Sequence, residues 1–173
     1  MKLAFADPPY IGQAKRHYSK EELCAEVDHV ALIADLMKYD GWALSLSSPT
    51  LKQILALCPD EVRIGAWVKP WASFKPGVNP GYAWEPVIFW GGRKRGRDVD
   101  TLRDWVSANA TMKKGLAGVK PVKVCYWIFE MLGARLGDEF HDIFPGSGIV
   151  TVSWNNWNKE MNVHNLPMFE VSL

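Results

Sequence analysis

The sequence predicts one α/β domain built on a mostly parallel sheet. Short apolar segments at 3–6, 42–47 and 62–69 are typical of strands, and segments with helical spacing separate them. Alternating strands and helices favour parallel pairing, with the helices packed on the faces of the sheet. A chain of 173 residues with 48% hydrophobic residues can bury one core, so we expect a single domain over residues 1–173.

The first strand ends at a turn that carries several polar groups. Leu3–Ala6 is too short for a helix, and Asp7, Pro8, Pro9 and Tyr10 follow it. The two prolines lack backbone donors and disfavour helical angles in the residues before them, which makes this turn stiff and extended. Open α/β sheets bind ligands at the carboxyl ends of their strands, so we expect a functional site here.

Helices are predicted between the first three strands. Ser19 and Glu22 form a capping box, which indicates a helix that continues to Asp40-Gly41. A second, shorter helix is predicted from Ser48-Pro49 to Leu57. The apolar face of the first helix is predicted to consist of Leu23, Val27, Val30, Ala34 and Met37.

The second half of the chain adds two more strands and three more helices. The segment 86–90 is predicted to be a fourth strand that forms a hairpin with 62–68. A short helix is expected over 100–108, with Leu102, Trp105 and Val106 facing inward. A longer helix follows Lys120-Pro121 and extends towards Leu136. The segment 139–144 is predicted to be a strand, joined by a glycine turn to a helix over 149–159.

The turn after the first strand suits a planar base that carries an amino group. Asp7 offers a carboxylate, Pro8 a carbonyl oxygen outside any helix, and Tyr10 a ring that can stack. An aryl amine is a poor nucleophile because its lone pair is delocalised into the ring. Two acceptors on its N–H groups localise that lone pair as charge develops, while the aromatic face holds the base in line. The alternative is a proline-rich loop in which Tyr10 contributes only packing.

Two further segments extend this pattern into a resemblance to a known family. Asp7-Pro8-Pro9-Tyr10 resembles catalytic motif IV of the amino-directed, S-adenosylmethionine-dependent nucleic-acid methyltransferases, in the form associated with adenine. Asp142–Gly148 is similar to their motif I, and Lys120-Pro121 is similar to the start of their motif X. The order IV, X, I resembles the permuted, beta-type members. The resemblance implies a circularly permuted, Rossmann-like class I methyltransferase fold whose antiparallel hairpin lies at the edge of the sheet.

The resemblance also implies which residues bind and react. The implied catalytic residues are Asp7, Pro8, Pro9 and Tyr10. A glycine turn that opens a helix brings backbone N–H groups close to a ligand carboxylate, although such a turn by itself is weak evidence. The implied contacts of the donor, S-adenosylmethionine, are Asp7, Lys120, Asp142, Phe144, Pro145, Gly146, Ser147 and Gly148. For Lys120 the alternative is an exposed residue before a helix. No metal ion is implied, because the sulfonium of the donor is electrophilic without one.

Positive charge is concentrated in a few short segments. Arginine side chains match phosphate oxygens, so these segments are candidates for nucleic-acid contact, with ordinary solvated loops as the alternative. The candidates are Lys15, Arg16, Arg93, Lys94, Arg95, Arg97, Lys113 and Lys114. The resemblance implies that 91–119 is a short basic insertion in place of a target-recognition domain. Its small size favours short or relaxed sequence specificity.

Composition limits the class of protein further. The net charge of +1 gives no global field for nucleic acid, so any such binding depends on a local patch. Cys24, Cys58 and Cys125 are odd in number and scattered, which favours reduced thiols and a cytoplasmic location. No segment approaches the length of a membrane span, so no membrane association is expected.

The resemblance therefore implies methylation of the N6 amino group of adenine in DNA. The alternatives that stay open are methylation of adenine N6 in RNA, methylation of cytosine N4 in DNA, and a non-catalytic module that binds S-adenosylmethionine or nucleic acid. A homodimer is an open alternative to a monomer.

Overall fold

A six-stranded sheet forms the centre of the molecule, which a computed structural model describes over residues 1–10, 27–71, 77–110 and 119–164. Its spatial order is β5-β3-β4-β2-β1-β6. β4 is antiparallel to β2 and β3, while β1 is parallel to β2 and β6, and β3 is parallel to β5. This arrangement confirms the predicted Rossmann-like α/β fold with a mostly parallel sheet. The strands are β1 Lys2–Ala6, β2 Gly41–Ser45, β3 Arg63–Val68, β4 Trp84–Gly91, β5 Trp105–Ser107 and β6 Glu139–Asp142.

Helices cover both faces of the sheet. On one face α3 (Val122–Met131) and α4 (Ile149–His164) pack against apolar side chains of β1, β3 and β4, in a core that includes Phe5, Trp67 and Phe129. On the other face α1 (His29–Leu36) and α2 (Leu51–Leu55) pack against β1, β2 and the middle of β4. A 3₁₀ turn at Ser48–Thr50 precedes α2. Among the described residues, no helix has the length and apolar character that crossing a membrane requires.

The first helix begins later than predicted. Asp28 has an extended conformation and caps α1, with its carboxylate accepting from the backbone N–H groups of Val30 and Ala31 at 2.9 and 3.1 Å. A continuous helix from Ser19 to Gly41 is therefore wrong, although the Ser19 capping box itself lies outside the described residues. The predicted apolar face is wrong at Val30, Ala34 and Met37, which are exposed, whereas Val27 packs against the core and Leu23 lies outside the described residues. The cap sets a different phase, and the buried face consists of Leu32, Ile33 and Leu36.

The helix predicted over 100–108 is a strand instead. β5 occupies Trp105–Ser107 and pairs in parallel with β3. The backbone N–H of Ala66 donates to Asp104 at 2.9 Å, and that of Ala108 donates to Val68 at 3.1 Å. The free edge of β3 offers these hydrogen bonds, which local helical spacing does not reveal.

The predicted hairpin forms, but not at the edge of the sheet. β3 and β4 pair antiparallel from Arg63–Phe89 to Val68–Trp84. β4 also pairs with β2, and β5 covers the outer side of β3, so the hairpin is interior. Because β4 runs opposite to the other strands, its first residues, Trp84 and Glu85, lie at the carboxyl edge of the parallel strands.

Candidate active site

The two segments that sequence analysis singled out lie side by side. β1 and β6 are neighbouring parallel strands in which Phe5 pairs with Asp142, and the backbone N–H of Ile143 donates to Phe5 at 2.9 Å. Asp7 follows β1 and the turn 145–148 follows β6, so both leave the sheet at its carboxyl edge. Distant parts of the chain thus form one candidate site, at the edge where open α/β sheets bind ligands.

Asp7 is held by a buried lysine at this edge. The Lys120 ammonium donates to the two carboxylate oxygens of Asp7, at 2.8 Å to Oδ1 and 2.7 Å to Oδ2. The Lys120 side chain is 3% exposed and that of Asp7 is 20% exposed. Lys120 directly precedes Pro121, the N-cap of α3, so the start of this helix places the ammonium under the turn after β1. The alternative that Lys120 is merely an exposed residue before a helix is wrong.

Glu85 is a residue of this site that the sequence did not indicate. The Tyr10 hydroxyl donates to Glu85 Oε2 at 2.6 Å, and the Lys69 ammonium donates to Glu85 Oε1. Lys120 lies 3.7 Å from the same carboxylate. Two residues of the turn after β1, Glu85 and the two lysines therefore share one network, called here the ion cluster, which consists of Asp7, Tyr10, Lys69, Glu85 and Lys120.

Within the ion cluster, the Glu85 carboxylate and the Lys120 ammonium stay charged although both groups are largely buried. Burial alone favours the neutral forms, but Lys120 and Lys69 outweigh it at Glu85, and the pKa of Glu85 is lowered. In the same way, Asp7 and Glu85 outweigh burial at Lys120, and the pKa of Lys120 is raised. The pKa of Tyr10 is raised well above its usual value, by burial first and then by Glu85 and Asp7. Tyr10 therefore stays protonated and remains a donor to Glu85.

Trp67 lies beneath the two lysines. The Lys69 and Lys120 ammonium groups lie 4.7 and 5.4 Å from the centroid of its ring. Its indole N–H donates to the carbonyl oxygen of Ala108 at 2.8 Å, which fixes the ring against the end of β5. An aromatic face attracts cations, so Trp67 helps to hold both ammonium groups at the edge of the sheet.

The glycine turn after β6 is open. Gly146 and Gly148 have φ angles of +45° and +73°, a region in which side chains cause strain. A Cβ at Gly148 would meet no heavy atom within 4 Å among the described residues. The Gly148 N–H donates to the Pro145 carbonyl at 2.6 Å and α4 begins at the next residue. Pro145, Gly146 and Ser147 are exposed, so a ligand has access to this turn.

Asp142, at the end of β6, has spare hydrogen-bonding capacity. Its Oδ1 atom is buried without a hydrogen-bond partner among the described residues, its Oδ2 accepts a long bond of 3.4 Å from Thr151, and the backbone N–H of Phe144 also interacts with this carboxylate. Burial, with Asp7 contributing, raises the pKa of Asp142. Phe144 packs from the other side against the core formed with α1 and α2. A buried acceptor without a partner next to an open glycine turn fits a ligand that donates hydrogen bonds.

Arg93 has a structural partner away from this edge. Its guanidinium donates to both carboxylate oxygens of Asp138 and, at 2.9 Å, to the carbonyl of Gly133. β4 carries the chain from Trp84 at the carboxyl edge to Gly91 beside Gly41, the first residue of β2. Seven residue steps of about 3.4 Å correspond to about 24 Å, so the basic segment starts at the opposite edge. Lys94, Arg95 and Arg97 follow there and are exposed.

Lys15, Arg16, Lys113 and Lys114 are outside the described residues. Within the described ranges, no group of three or more His, Cys, Asp and Glu side chains is arranged to hold a metal ion. Cys58 is half-buried and Cys125 is buried, and burial raises the pKa of each thiol to about 11.

The missed residues carry a weak signal in the sequence. Lys69 ends a predicted strand, the position at which a parallel sheet presents functional groups. Glu85 precedes a predicted strand, and it reaches the same edge only because β4 runs antiparallel inside the sheet. An acid at the start of an antiparallel strand is a candidate as good as one at the end of a parallel strand, once the topology is known.

Solved structures with a similar fold exist. The chain is similar to the crystal structure of M1.HpyAVI in complex with SAM, with a TM-score of 0.62 and 14% identity, over 91% of this chain and 78% of that chain. It is also similar to the crystal structure of M1.HpyAVI, with a TM-score of 0.55 and 15% identity, over 91% of this chain and 76% of that chain. No family model and no curated protein sequence matches the chain. At this identity, the likeness shows the fold.

Proposed function

We propose that this protein transfers a methyl group from S-adenosylmethionine to the N6 amino group of adenine in DNA. One observation carries the proposal: the Asp7–Tyr10 turn and the glycine turn 145–148 follow the neighbouring parallel strands β1 and β6. A group held at the glycine turn and a base held at Tyr10 would be adjacent. The order of the segments along the chain supports a circularly permuted member of the amino-directed methyltransferases.

The donor proposal rests on the glycine turn and its surroundings. Open space at Gly148 leaves room for a ligand at the amino end of α4, where backbone N–H groups favour a carboxylate. The unpartnered Asp142 Oδ1 can accept from a ligand hydroxyl or ammonium group. M1.HpyAVI, which shares the fold, has been solved with SAM. Bound there, the donor supplies a methyl group on a positively charged sulfur.

Asp7 is proposed to accept a hydrogen bond from the amine. A carboxylate has about four lone-pair positions, so Asp7 can accept from the amine while both of its oxygens still accept from Lys120. Lys120 fixes the direction of the carboxylate, and the Pro8 carbonyl is the proposed second acceptor. Formation of the nitrogen–methyl bond would break the carbon–sulfur bond of the donor and leave a neutral thioether, and Asp7 would stabilise the positive charge that the nitrogen gains. The proton that the amine then releases passes to solvent.

Tyr10 is proposed to stack on a base that has left the duplex. Its hydroxyl is fixed to Glu85 at 2.6 Å, and this bond restrains the plane of the ring. A restrained aromatic face aligns the base without an entropy cost at the moment of reaction. The network explains why Glu85 and the two lysines occur together at this edge. Glu85 and the two lysines position Asp7 and Tyr10, the two side chains that would touch the base.

The test is transfer of radiolabelled methyl from S-adenosylmethionine to duplex DNA, single-stranded DNA and RNA, followed by nucleoside analysis. We expect N6-methyladenine in DNA, and we expect Asp7→Ala to reduce the rate by about a hundredfold or more. If Asp7→Ala does not fold, Asp7→Asn takes its place, because the asparagine amide oxygen can still accept a hydrogen bond from Lys120. Asp35→Ala, which removes an exposed acid paired with Lys38, is the matched control.

Each other outcome has a defined meaning. Methyladenine in RNA alone, or N4-methylcytosine, would show that the proposed substrate is wrong and that the proposed reaction, methyl transfer to an amino group, is right. No label in any polymer, from folded protein that binds the donor, overturns the enzymatic proposal in favour of a binding module.

A further inference from the structure

The exposed aromatic side chains of the described residues lie together. Their exposed fractions are 68% for Trp71, 55% for Tyr82, 38% for Trp84 and 43% for Trp105. All four belong to β5, to the start of β4, or to the segments next to β3 and β4 at the carboxyl edge. The other large exposed hydrophobic residues of the described ranges are aliphatic and scattered over the helices, loops and strands. These four residues are called the aromatic surface below.

Register places two of these residues on one face of the sheet. Trp84 is opposite Val68, and Trp105 is opposite Ala66, so both side chains lie on the face that carries Ala66 and Val68. Two strand spacings of about 4.8 Å and a two-residue offset of about 3.3 Å per residue separate their Cα atoms by about 12 Å. Val106 points to the opposite face, into the core with α3 and α4.

No helix of the described ranges covers this part of the sheet. The core formed with α1 and α2 contains no residue of β3 or β5. Ile64, on the same face of β3, is 41% exposed, and Ala66 and Val68 are only half-buried. Among the described residues, this part of the sheet therefore exposes apolar side chains and aromatic rings near the carboxyl edge, an arrangement that usually indicates binding.

The aromatic surface and the ion cluster meet at the carboxyl edge, on opposite faces of the sheet, because Glu85 pairs with Trp67 and Trp84 pairs with Val68. Trp84 is adjacent in sequence to Glu85, and the Lys69 backbone N–H donates to the Ala83 carbonyl between Tyr82 and Trp84 at 2.8 Å. The backbone N–H of Trp71 donates to Asn109 Oδ1 at 3.3 Å, which holds Trp71 beside the end of β5. A strand that crosses the carboxyl edge of the sheet would contact both the site and this surface.

Arg103 adds a positive charge to the aromatic surface. Its guanidinium carbon lies 5.2 Å from the centroid of the Trp105 ring. Flat rings accompanied by an arginine stack with bases and contact phosphate, and this combination is typical of proteins that bind single strands. An aliphatic surface would suit another protein equally well, whereas flat rings with a guanidinium favour unpaired bases.

We propose that the aromatic surface binds an unpaired strand of the nucleic-acid substrate, with bases that flank the target stacked on Trp84 and Trp105. The proposal rests on the proposed function, since it assigns the strand state of that substrate. Stacking of flanking bases offsets part of the cost of unpairing the target, so the protein binds single-stranded DNA more tightly than duplex.

The test measures equilibrium binding of a fluorescently labelled 20-nucleotide single-stranded DNA without donor. Trp84→Ala and Trp105→Ala are each expected to weaken binding by about fivefold to about a hundredfold. Trp84→Tyr keeps a ring and is expected to restore most of the affinity, whereas Trp84→Leu keeps an apolar side chain and is expected not to. Val30→Ala, an exposed residue of α1, is the control.

Two further measurements separate stacking from general attraction. On an abasic strand of the same length, Trp84→Ala is expected to have no effect, because stacking needs bases. The slope of log K against log salt concentration is negative, and its magnitude is expected to decrease by about 0.7 in Arg103→Ala and to stay unchanged in Trp84→Ala. Circular dichroism and thermal unfolding of each variant establish that the fold is retained.

The proposal is overturned if Trp84→Leu binds as well as wild type, if the abasic strand responds equally to Trp84→Ala, or if the aromatic variants change only self-association in sedimentation. Loss of methyl transfer in Asp7→Ala with normal strand binding supports both proposals. Normal methyl transfer with unchanged strand binding in the tryptophan variants rejects the aromatic surface and keeps the proposed reaction. Strand binding that depends on the rings, without methyl transfer by wild type, rejects the reaction alone.

Discussion

Lys120 donates hydrogen bonds to both carboxylate oxygens of Asp7, and 113 residues separate the two along the chain. The pair joins the turn after β1 to the start of α3. Its lysine is almost completely buried and its aspartate is partly exposed. The pair therefore fixes the candidate acceptor from below while leaving it accessible from the solvent side.

Loss of the buried lysine is expected to be costly. Lys120→Met removes the lysine that binds Asp7 and leaves Glu85 with Lys69 alone in the ion cluster, so we expect the free energy of unfolding to fall by about 3 kcal/mol. Urea unfolding measures the change. Lys38→Met removes a lysine–aspartate pair that is exposed on both sides, and it should change stability by less than about 1 kcal/mol. Equal effects of the two substitutions would show that Lys120 is not held as described.

Glu85 is expected to make stability depend on acid pH. Its ordinary pKa is 4.5 and its pKa in the folded protein is lower, because Lys120 and Lys69 outweigh burial. The stabilisation is fully present above about pH 4.5 and is lost as pH falls through the folded-state pKa. In Glu85→Gln, the decline of unfolding free energy below pH 4.5 should be shallower, by at most about 1.4 kcal/mol per pH unit.

Urea unfolding between pH 7 and pH 3 tests this dependence. Glu61→Gln, which replaces an exposed acid outside the ion cluster, serves as the control and should retain the wild-type decline. An unchanged acid profile in Glu85→Gln would mean that Glu85 is not paired with the lysines.

Replacement of Gly148 is expected to weaken binding of S-adenosylmethionine, whereas replacement of Gly137 is not. Both glycines have positive φ angles, +73° and +83°, and a Cβ at either meets no heavy atom within 4 Å among the described residues. Alanine at each position should therefore cost a similar 1–2 kcal/mol, roughly, of backbone strain. We expect Gly148→Ala alone to weaken binding of S-adenosylmethionine, by about tenfold, because strain displaces the N–H groups of the turn.

Calorimetric titration with S-adenosylmethionine gives the affinities of both glycine variants. Similar affinities for Gly148→Ala, Gly137→Ala and the wild type would remove the glycine turn from the donor site.

Arg93 is expected to act on stability. Its guanidinium binds both oxygens of Asp138, whose side chain is 4% exposed, and this pairing lowers the pKa of Asp138. Arg93→Met leaves that carboxylate with fewer donors, so the free energy of unfolding should fall by about 2 kcal/mol. Thermal or urea unfolding measures it.

The exposed neighbours of Arg93 give the contrasting case. Combined replacement of Lys94, Arg95 and Arg97 by alanine should leave stability within about 0.5 kcal/mol of wild type. It should reduce the salt dependence of duplex binding, by about 0.9 in slope for each phosphate that the variant no longer neutralises. An unchanged slope would show that the phosphate backbone binds elsewhere on the protein.

Several elements follow from local sequence alone. β1 ends where Pro8 and Pro9 end any regular structure, and the glycine turn precedes α4 because Gly146 and Gly148 adopt positive φ angles. Short-range spacing also predicts β2, α2 and α3. It fails where a distant partner decides, as at Trp105–Ser107, which becomes a strand because the edge of β3 offers hydrogen bonds.

The sequence by itself determined the α/β class and the position of the turn at Asp7–Tyr10 after a buried strand, because short apolar segments, prolines and glycines act through local backbone geometry. Only the tertiary structure decided that Glu85 joins Tyr10 and that Lys120 is buried against Asp7. The tertiary structure also places Arg93 at the edge of the sheet opposite the candidate active site. The positions of Glu85 and Arg93 depend on β4 running antiparallel between β2 and β3, and the Lys120–Asp7 pair depends on where α3 begins relative to β1. Strand direction and order result from long-range pairing, and no short stretch of sequence encodes them.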